Sequence, residues 1–376
     1  MSALSVLCVH FFKLITRFRL KSSEWILKLE PFVTFIANVL DASKKKPLVR
    51  VALLDDGANL NDLCGEQKGE SFRPDKAGYF VGPCSHGTEM ARCIRAICPM
   101  AELYIARLDD SRKRDGEVFT SASAYEVRLT IRANLPETPK SLVTFQALKW
   151  AISMEVDIIS MSWTFKMKVN EMDDYEEKFI RQIRDITSSV GSNKPILFGS
   201  YPDKGPTAEA LHYAPVGLPG VIGIASATIY GEPSKENTQE NPDFLLPGEN
   251  LEISAGKYVS GSSFSTAYAS GLAALVLYCL RAHKDLGDDY VIPDSEDERH
   301  KRLKNAETGD GMTKIFRNFT RNPADNSFKK DPFVRPYTIL GNKNFGLSDH
   351  ERRKTMQDIV TELLPISQLK SLSALS

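Results

Sequence analysis

The stretch GSSFSTAYASGLAALVL, Gly261 to Leu277, decides how this chain is read. It sets Ser263 among small residues at the first turn of a long apolar helix. A helix N-terminus carries partial positive charge and favours an oxygen that must become negative. Small neighbours let another backbone approach that oxygen. Serine is also a common N-cap, so Ser260, Ser262 and Ser263 alone read equally well as caps.

Working outward, two more segments change the balance. In VRVALLDDGANL, Val49 to Leu60, an apolar, β-branched run ends in Asp55, Asp56 and Gly57. This predicts a buried parallel strand that delivers a carboxylate at its C-terminal edge. In SHGTEMARCIRAICP, Ser85 to Pro99, His86 opens a short helix with an apolar face of Met90, Ile94 and Ile97, and Pro99 stops it. A serine hydroxyl needs a base within hydrogen-bond reach, and imidazole titrates near neutrality. A carboxylate would hold the imidazole tautomer and stabilise the imidazolium. Asp55 and Asp56 both stand at the strand's end and compete for that role. Of the six histidines, His10, His283, His300 and His350 lie in helical or charged surroundings, and His212 lies in a turn beside Tyr213. Only His86 has a glycine and a threonine after it and a helix behind it.

The order Asp, His, Ser matches that of subtilisin. The chain resembles the subtilases, the subtilisin-like serine proteases. Those carry Asp-Ser/Thr-Gly, then His-Gly-Thr-x-x-Ala, then Gly-Thr-Ser-x-Ala-x-Pro. Here the segments read Asp55-Asp56-Gly57, His86-Gly87-Thr88-Glu89-Met90-Ala91 and Gly261-Ser262-Ser263-Phe264-Ser265-Thr266-Ala267. Further collinear likeness lies in Ala101–Asp110, Ala147–Trp163, His212–Ala227 and Asp243–Leu251, so the resemblance runs over residues 47–282. Its wording is most similar to intracellular subtilase domains of multidomain fungal proteins.

The resemblance implies a doubly wound α/β fold of three layers: a mostly parallel sheet flanked by helices. It implies a serine endopeptidase acting on polypeptides through an acyl-enzyme, with Asp55, His86 and Ser263 as the triad. Asp55 is preferred because the family's acid is the first residue after the strand. The second oxyanion donor of subtilases is an asparagine in a turn after an apolar strand, and the matching position here is Asp203. An ionised aspartate only accepts hydrogen bonds, so it would repel the oxyanion unless protonated or bridged by water. Some proprotein-processing subtilases carry Asp there. The substrate cleft would include Ser162, Trp163 and Thr164, with Thr164 narrowing the primary pocket where the family often has glycine. A catalytically weak or dead fold used as a binding module is the alternative. The family's calcium ligands have no match here, so no metal and no cofactor is expected.

Composition points the same way. Lys plus Arg and Asp plus Glu both number 48, which argues against nucleic-acid binding as the main role. The six cysteines show no secreted-scaffold spacing, so reduced thiols and a cytoplasmic location are expected. No run of about 18 apolar residues stands out, so no spanning helix is expected.

The chain divides into an N-terminal helical extension and charged linker (1–46), a catalytic domain (47–345) and a C-terminal helical tail (346–376). Before residue 47 too few residues stand for a folded pro-domain of the family. Phe11, Phe12, Leu14 and Ile15 before Arg17, Arg19 and Lys21 admit a short membrane-surface helix. Trp25, Leu29, Phe32, Ile36 and Val39 recur at helical spacing and predict a face packed on the catalytic domain or on a partner helix. The stretch 127–146 interrupts one helical pattern, and its removal joins Ser121–Glu126 to Ala147–Ile152 in register. Its Val127 start, the Ala133-Asn134 pair and the Phe145-Gln146 end suit an intron's borders and branch point. It reads as a retained intron, against a tolerated surface insertion. After Arg281 the charge run Asp294–Lys304 is expected to be solvated. Met312–Phe319 and Ser348–Leu364 are expected helices, the latter serine-capped and closed before Pro365. Phe333–Phe345 reads as irregular.

Overall fold

The computed structural model describes residues 24–39, 46–63, 67–72, 78–80, 85–108, 140–166, 174–188, 194–203, 213–237, 242–254, 256–285, 296–321, 332–341, 343, 345 and 348–364. Its strands are β1 Arg50–Asp55, β2 Gln67–Ser71, β3 Glu102–Arg107, β4 Ile158–Met161, β5 Phe165–Lys166, β6 Ile196–Ser200, β7 Tyr213–Ala214, β8 Val221–Ala227, β9 Phe244–Pro247, β10 Leu251–Ser254 and β11 Lys257–Val259. Its helices are α1 Glu24–Leu27, α2 Glu30–Asn38, α3 His86–Ile97, α4 Lys140–Ser153, α5 Asp174–Ser188, α6 Ser262–Asp285, α7 Glu296–Ala306, α8 Gly309–Phe319, α9 Tyr337–Leu340 and α10 Asp349–Leu363.

Seven strands pair in the order β2-β3-β1-β4-β6-β8-β9, and every pair is parallel. Apolar runs at residues 49–54, 103–107, 157–162, 195–199 and 221–225 predict five of these strands, and all five are present with ends moved by a residue or two. The pattern missed β2, whose QKGES is polar because it is an edge strand with exposed positions.

Parallel sheets carry helices on both faces, and the alternation of side chains sorts them. Val51 and Leu53 of β1, Leu103 and Ile105 of β3, and Ile196 and Phe198 of β6 face one core with α3 and α6. Ala52, Leu54, Tyr104, Ala106 and Leu197 face the other, against α4 and α5. The architecture is therefore the expected three-layer, doubly wound one. It gives Asp55 an address: two residues after Leu53, it shares the face that α3 and α6 cover.

Helix α6 runs along that face with every residue from Gly261 to Leu280 buried. Among the described residues it is the helix long and apolar enough to cross a bilayer by composition, contrary to the expectation that none would be. All of that apolar window is buried inside the protein, which accounts for its composition.

The predicted N-terminal stripe is buried in this same core: Trp25, Leu29, Phe32, Ile36 and Val39 all join it. Trp25 donates its indole N–H to the Val334 carbonyl at 2.7 Å. Its ring centroid lies 6.1 Å from that of Tyr268 on α6. At the other end of the chain α10 opens with a capping box built on Ser348 and Glu351. Met356 of α10 meets Cys279 of α6, sulfur to sulfur, at 3.4 Å. The stretches before residue 47 and after residue 345 thus supply an outer layer over α6 where they are described.

Residues 140–146 of the suspected intron form the first turns of α4, which runs on unbroken to Ser153. Thr144 is buried and Phe145 packs on the core beneath. Residues 127–139 lie outside the described residues, as do the expected membrane-surface helix and His212. The charge run expected to be solvated is helical from Glu296, with Arg302 buried in it. The Phe333–Phe345 stretch, expected to be irregular, contains the short helix α9.

Candidate active site

The site forms at the C-terminal edge of the central strands, where open α/β sheets gather functional groups. Asp55 is the last residue of β1. Its Oδ1 lies 2.8 Å from Nδ1 of His86, the first residue of α3, and both side chains are buried. The Asp56 amide donates to the same Asp55 oxygen at 2.8 Å. Asp56, the rival in the sequence, turns elsewhere: its Oδ1 accepts the Gly87 N–H at 2.7 Å.

Gly87 makes this close approach feasible. A Cβ there would stand 2.2 Å from the Gly57 carbonyl oxygen and 2.9 Å from Asp56 Oδ1. Gly57 itself has φ 101°, a turn conformation that suits glycine. Ser85, the residue before the helix, sits in left-handed backbone at φ 62° and provides no side-chain cap. Asp56 serves in its place at the first turn of α3.

Ser263 is the second residue of α6. Its Oγ donates to the Ser162 carbonyl at 3.0 Å, and Ser162 Oγ donates back to the Ser263 carbonyl at 3.2 Å. Ser162 directly follows β4, and β4 pairs with β1 from Val51 to Leu53. This reciprocal clasp therefore pins the serine to the strand end beside the one that carries Asp55. All three residues expected as a triad share one sheet edge and one core face.

Asp203 follows β6, the next strand over. Its Oδ2 accepts the Ser262 N–H at 2.9 Å and its Oδ1 accepts the Ser262 hydroxyl at 2.5 Å. Ser262 Oγ in turn accepts the Ser226 N–H at 3.2 Å. The carboxylate is thus an acceptor at the mouth of the serine helix, one residue before Ser263.

The cleft residues divide. Ser162 clasps Ser263, and Thr164 is buried just before β5. The Trp163 side chain belongs to the opposite core: its indole N–H donates to the Leu54 carbonyl at 2.7 Å, and its ring packs on Phe179. Only its main chain is left for a cleft.

The electrostatics of His86 follow from these contacts. Burial pushes the imidazole down. The charge and hydrogen bond of Asp55, helped by the charges of Asp56 and Glu89, outweigh it and hold the imidazole above its ordinary value. The thiols behave oppositely. Burial pushes Cys98 and Cys279 up to about 12, and Cys93 is also raised, so none is a thiolate near neutrality. Among the described residues no group of three or more side chains could hold a metal ion.

The role of Asp56 as clamp on Gly87 was missed in the sequence. The available signal was a second carboxylate where the resembled motif has a hydroxyl.

A parallel α/β sheet thus carries an acid, an imidazole and a serine at one edge. The model of the subtilase family matches residues 48–287, and the chain belongs to that family, which supports a serine-type peptidase. It is 24% identical over 263 residues to the subtilisin-like protease het-Q2 of Podospora anserina, covering 62% of each chain. Among solved structures, a lanthipeptide protease superposes with a TM-score of 0.55 at 19% identity, over 84% of this chain and 95% of that one. The prenylagaramide maturation protease PagA superposes with a TM-score of 0.50 at 17% identity, over 89% and 98%. These structural likenesses bear on the fold.

Proposed function

We propose that the protein is a serine endopeptidase that cleaves polypeptides through an acyl-enzyme on Ser263, with His86 as base and Asp55 as its orienting acid. The observation that carries this reading is the buried 2.8 Å contact of Asp55 Oδ1 with His86 Nδ1, with Ser263 clasped to the neighbouring strand end. A hydroxyl has one proton, and at rest that of Ser263 lies on the Ser162 carbonyl. Catalysis in this scheme starts when the hydroxyl turns to the other ring nitrogen of His86, Nε2. The base takes the proton as Oγ attacks the scissile carbonyl, and then gives it to the leaving amine. The Ser263 N–H at the helix mouth receives the developing oxyanion. Water repeats the sequence to release the acid. Buried, unpaired Cys93, Cys98 and Cys279 agree with a location in the cell interior.

One observation favours the second reading, a binding module of the same fold. Asp203 stands where the resembled site has an oxyanion donor, and it accepts from Ser262 on both oxygens. A fluorophosphonate probe separates the two readings. The endopeptidase labels and its Ser263→Ala variant does not. A chain that stays unlabelled from mildly acidic to alkaline pH is the binding module.

A further inference from the structure

We propose that Asp56 is a positioning residue for His86: it grips the first turn of the histidine helix and, through its charge, sets how strongly the imidazole holds a proton. The proposal rests on the reading of His86 as the base. Four contacts close a ring. His86 Nδ1 meets Asp55 Oδ1 at 2.8 Å, the Asp56 amide meets that same oxygen at 2.8 Å, Asp56 Oδ1 meets the Gly87 N–H at 2.7 Å, and Gly87 is joined to His86. The adjacent carboxylates Asp55 and Asp56 thus hold the histidine from two sides, one by its ring and one by its helix.

The grip alone does not need a charge. A serine or threonine hydroxyl, as in the resembled motif, also accepts an amide proton. A carboxylate adds a negative charge that is buried, 3% exposed, beside a ring that must become positive. Buried charges act over a lower dielectric than surface ones. The helix N-terminus on which Asp56 sits makes that charge tolerable.

The other ionisable groups on the helices around the site leave Asp56 its place. Glu89, on α3, is paired at 2.8 Å with Arg92, which also reaches Asp62 at 3.3 Å. Tyr268 of α6 and its partner Cys93 are both raised by burial and so stay uncharged near neutrality. Asp203 lies at the other helix mouth on Ser262. The Asp56 charge contributes to holding the imidazole above its ordinary value.

The test is an NMR titration of the His86 ring in the full chain carrying Ser263→Ala. Asp56→Asn, which keeps an acceptor for Gly87, moves the midpoint down by about one pH unit. Asp56→Ser, which keeps a hydroxyl, moves it down to a similar degree. Glu89→Gln moves it less, because Arg92 already meets that charge. An unchanged midpoint in either folded Asp56 variant, or a larger shift from Glu89→Gln, overturns the proposal. Circular dichroism shows which variants are folded, and the serine variant stands in if the asparagine one is not. The titration needs no turnover. A wild-type chain that takes no fluorophosphonate while Asp56→Asn still lowers the midpoint loses the peptidase reading and keeps Asp56 as the group that sets the ring's proton affinity.

Discussion

Two helices open onto the site, and a carboxylate from a strand end holds the first turn of each. Asp56 takes the Gly87 amide of the histidine helix, and Asp203 takes the Ser262 amide of the serine helix. Both anions sit at the positive end of a helix, so both are locally stabilising. In the proposed reaction their chemical effects are opposite. At the histidine mouth the proposed transition state makes a cation, which the Asp56 charge would favour. At the serine mouth it makes an anion, which the Asp203 charge would oppose. On that proposal the same structural device aids one half of the reaction and hinders the other.

The largest effect separates the orienting acid from its neighbour. Asp55→Asn removes the anion on Nδ1 and favours the wrong tautomer, so turnover falls by about 10⁴-fold. Asp56→Asn leaves that contact in place and acts through the imidazole's proton affinity alone, so it costs far less. Steady-state peptide hydrolysis at one pH above the wild-type limb measures both. Equal losses from the two variants would break the distinction between the residues.

Next comes the serine mouth. Asp203→Asn keeps one oxygen for the Ser262 N–H and replaces an anion by a donor. Oxyanion donors are worth about 10²–10³-fold each, and an imperfectly aimed one recovers part of this, so turnover rises by about tenfold to a hundredfold. The lost charge at the helix N-terminus lowers stability by about 0.5–1 kcal/mol. A faster but less stable enzyme is the expected outcome, read from kcat and from denaturant midpoints. A slower one would show that Asp203 serves Ser263 by placement more than it opposes the oxyanion by charge.

Acidity gives a third, smaller effect. The folded imidazole of His86 holds its proton above the ordinary value, so the rate falls on the acid side along a limb placed above about pH 6.5. Stability linked to the same group runs the other way. The ring's raised proton affinity contributes fully below the unfolded value and is lost as pH rises through the folded one. Between those two values turnover climbs while this contribution to stability declines. Thermal midpoints and initial rates taken across that window check the pairing. A parallel rise in both would mean that another group governs the limb.

The sheet edge was legible in the sequence because each candidate residue ends or begins a strongly patterned element. Asp55 closes an apolar run, and His86 and Ser263 open helices with marked apolar faces. The contacts that separate Asp55 from Asp56 were not legible. Which of two adjacent carboxylates points at the ring depends on the turn at Gly57 and on how closely Gly87 lets the chains approach. Trp163 misled for a related reason: in a strand extension, alternate side chains leave by opposite faces, so its ring entered the other core while Ser162 stayed at the site. The edge strand β2 escaped because a polar edge has no apolar alternation to read.

The smallest effect tests where the comparison of the two mouths stops. Trp25 lies on the outer layer, its indole N–H bonded to the Val334 carbonyl and its ring against Tyr268 of the serine helix. Trp25→Phe keeps much of the apolar ring and removes the donor, leaving a buried carbonyl unpaired. That costs about 1–2 kcal/mol of stability. Tyr268 lies five residues beyond Ser263, more than one helical turn away, and the clasp of Ser263 on Ser162 pins the mouth independently of what packs behind it. Turnover per folded molecule should therefore be unchanged while the denaturant midpoint falls. A drop in kcat that follows the loss of stability would mean that the outer layer sets the position of the serine helix, and that the two mouths cannot be treated as separate from the packing above them.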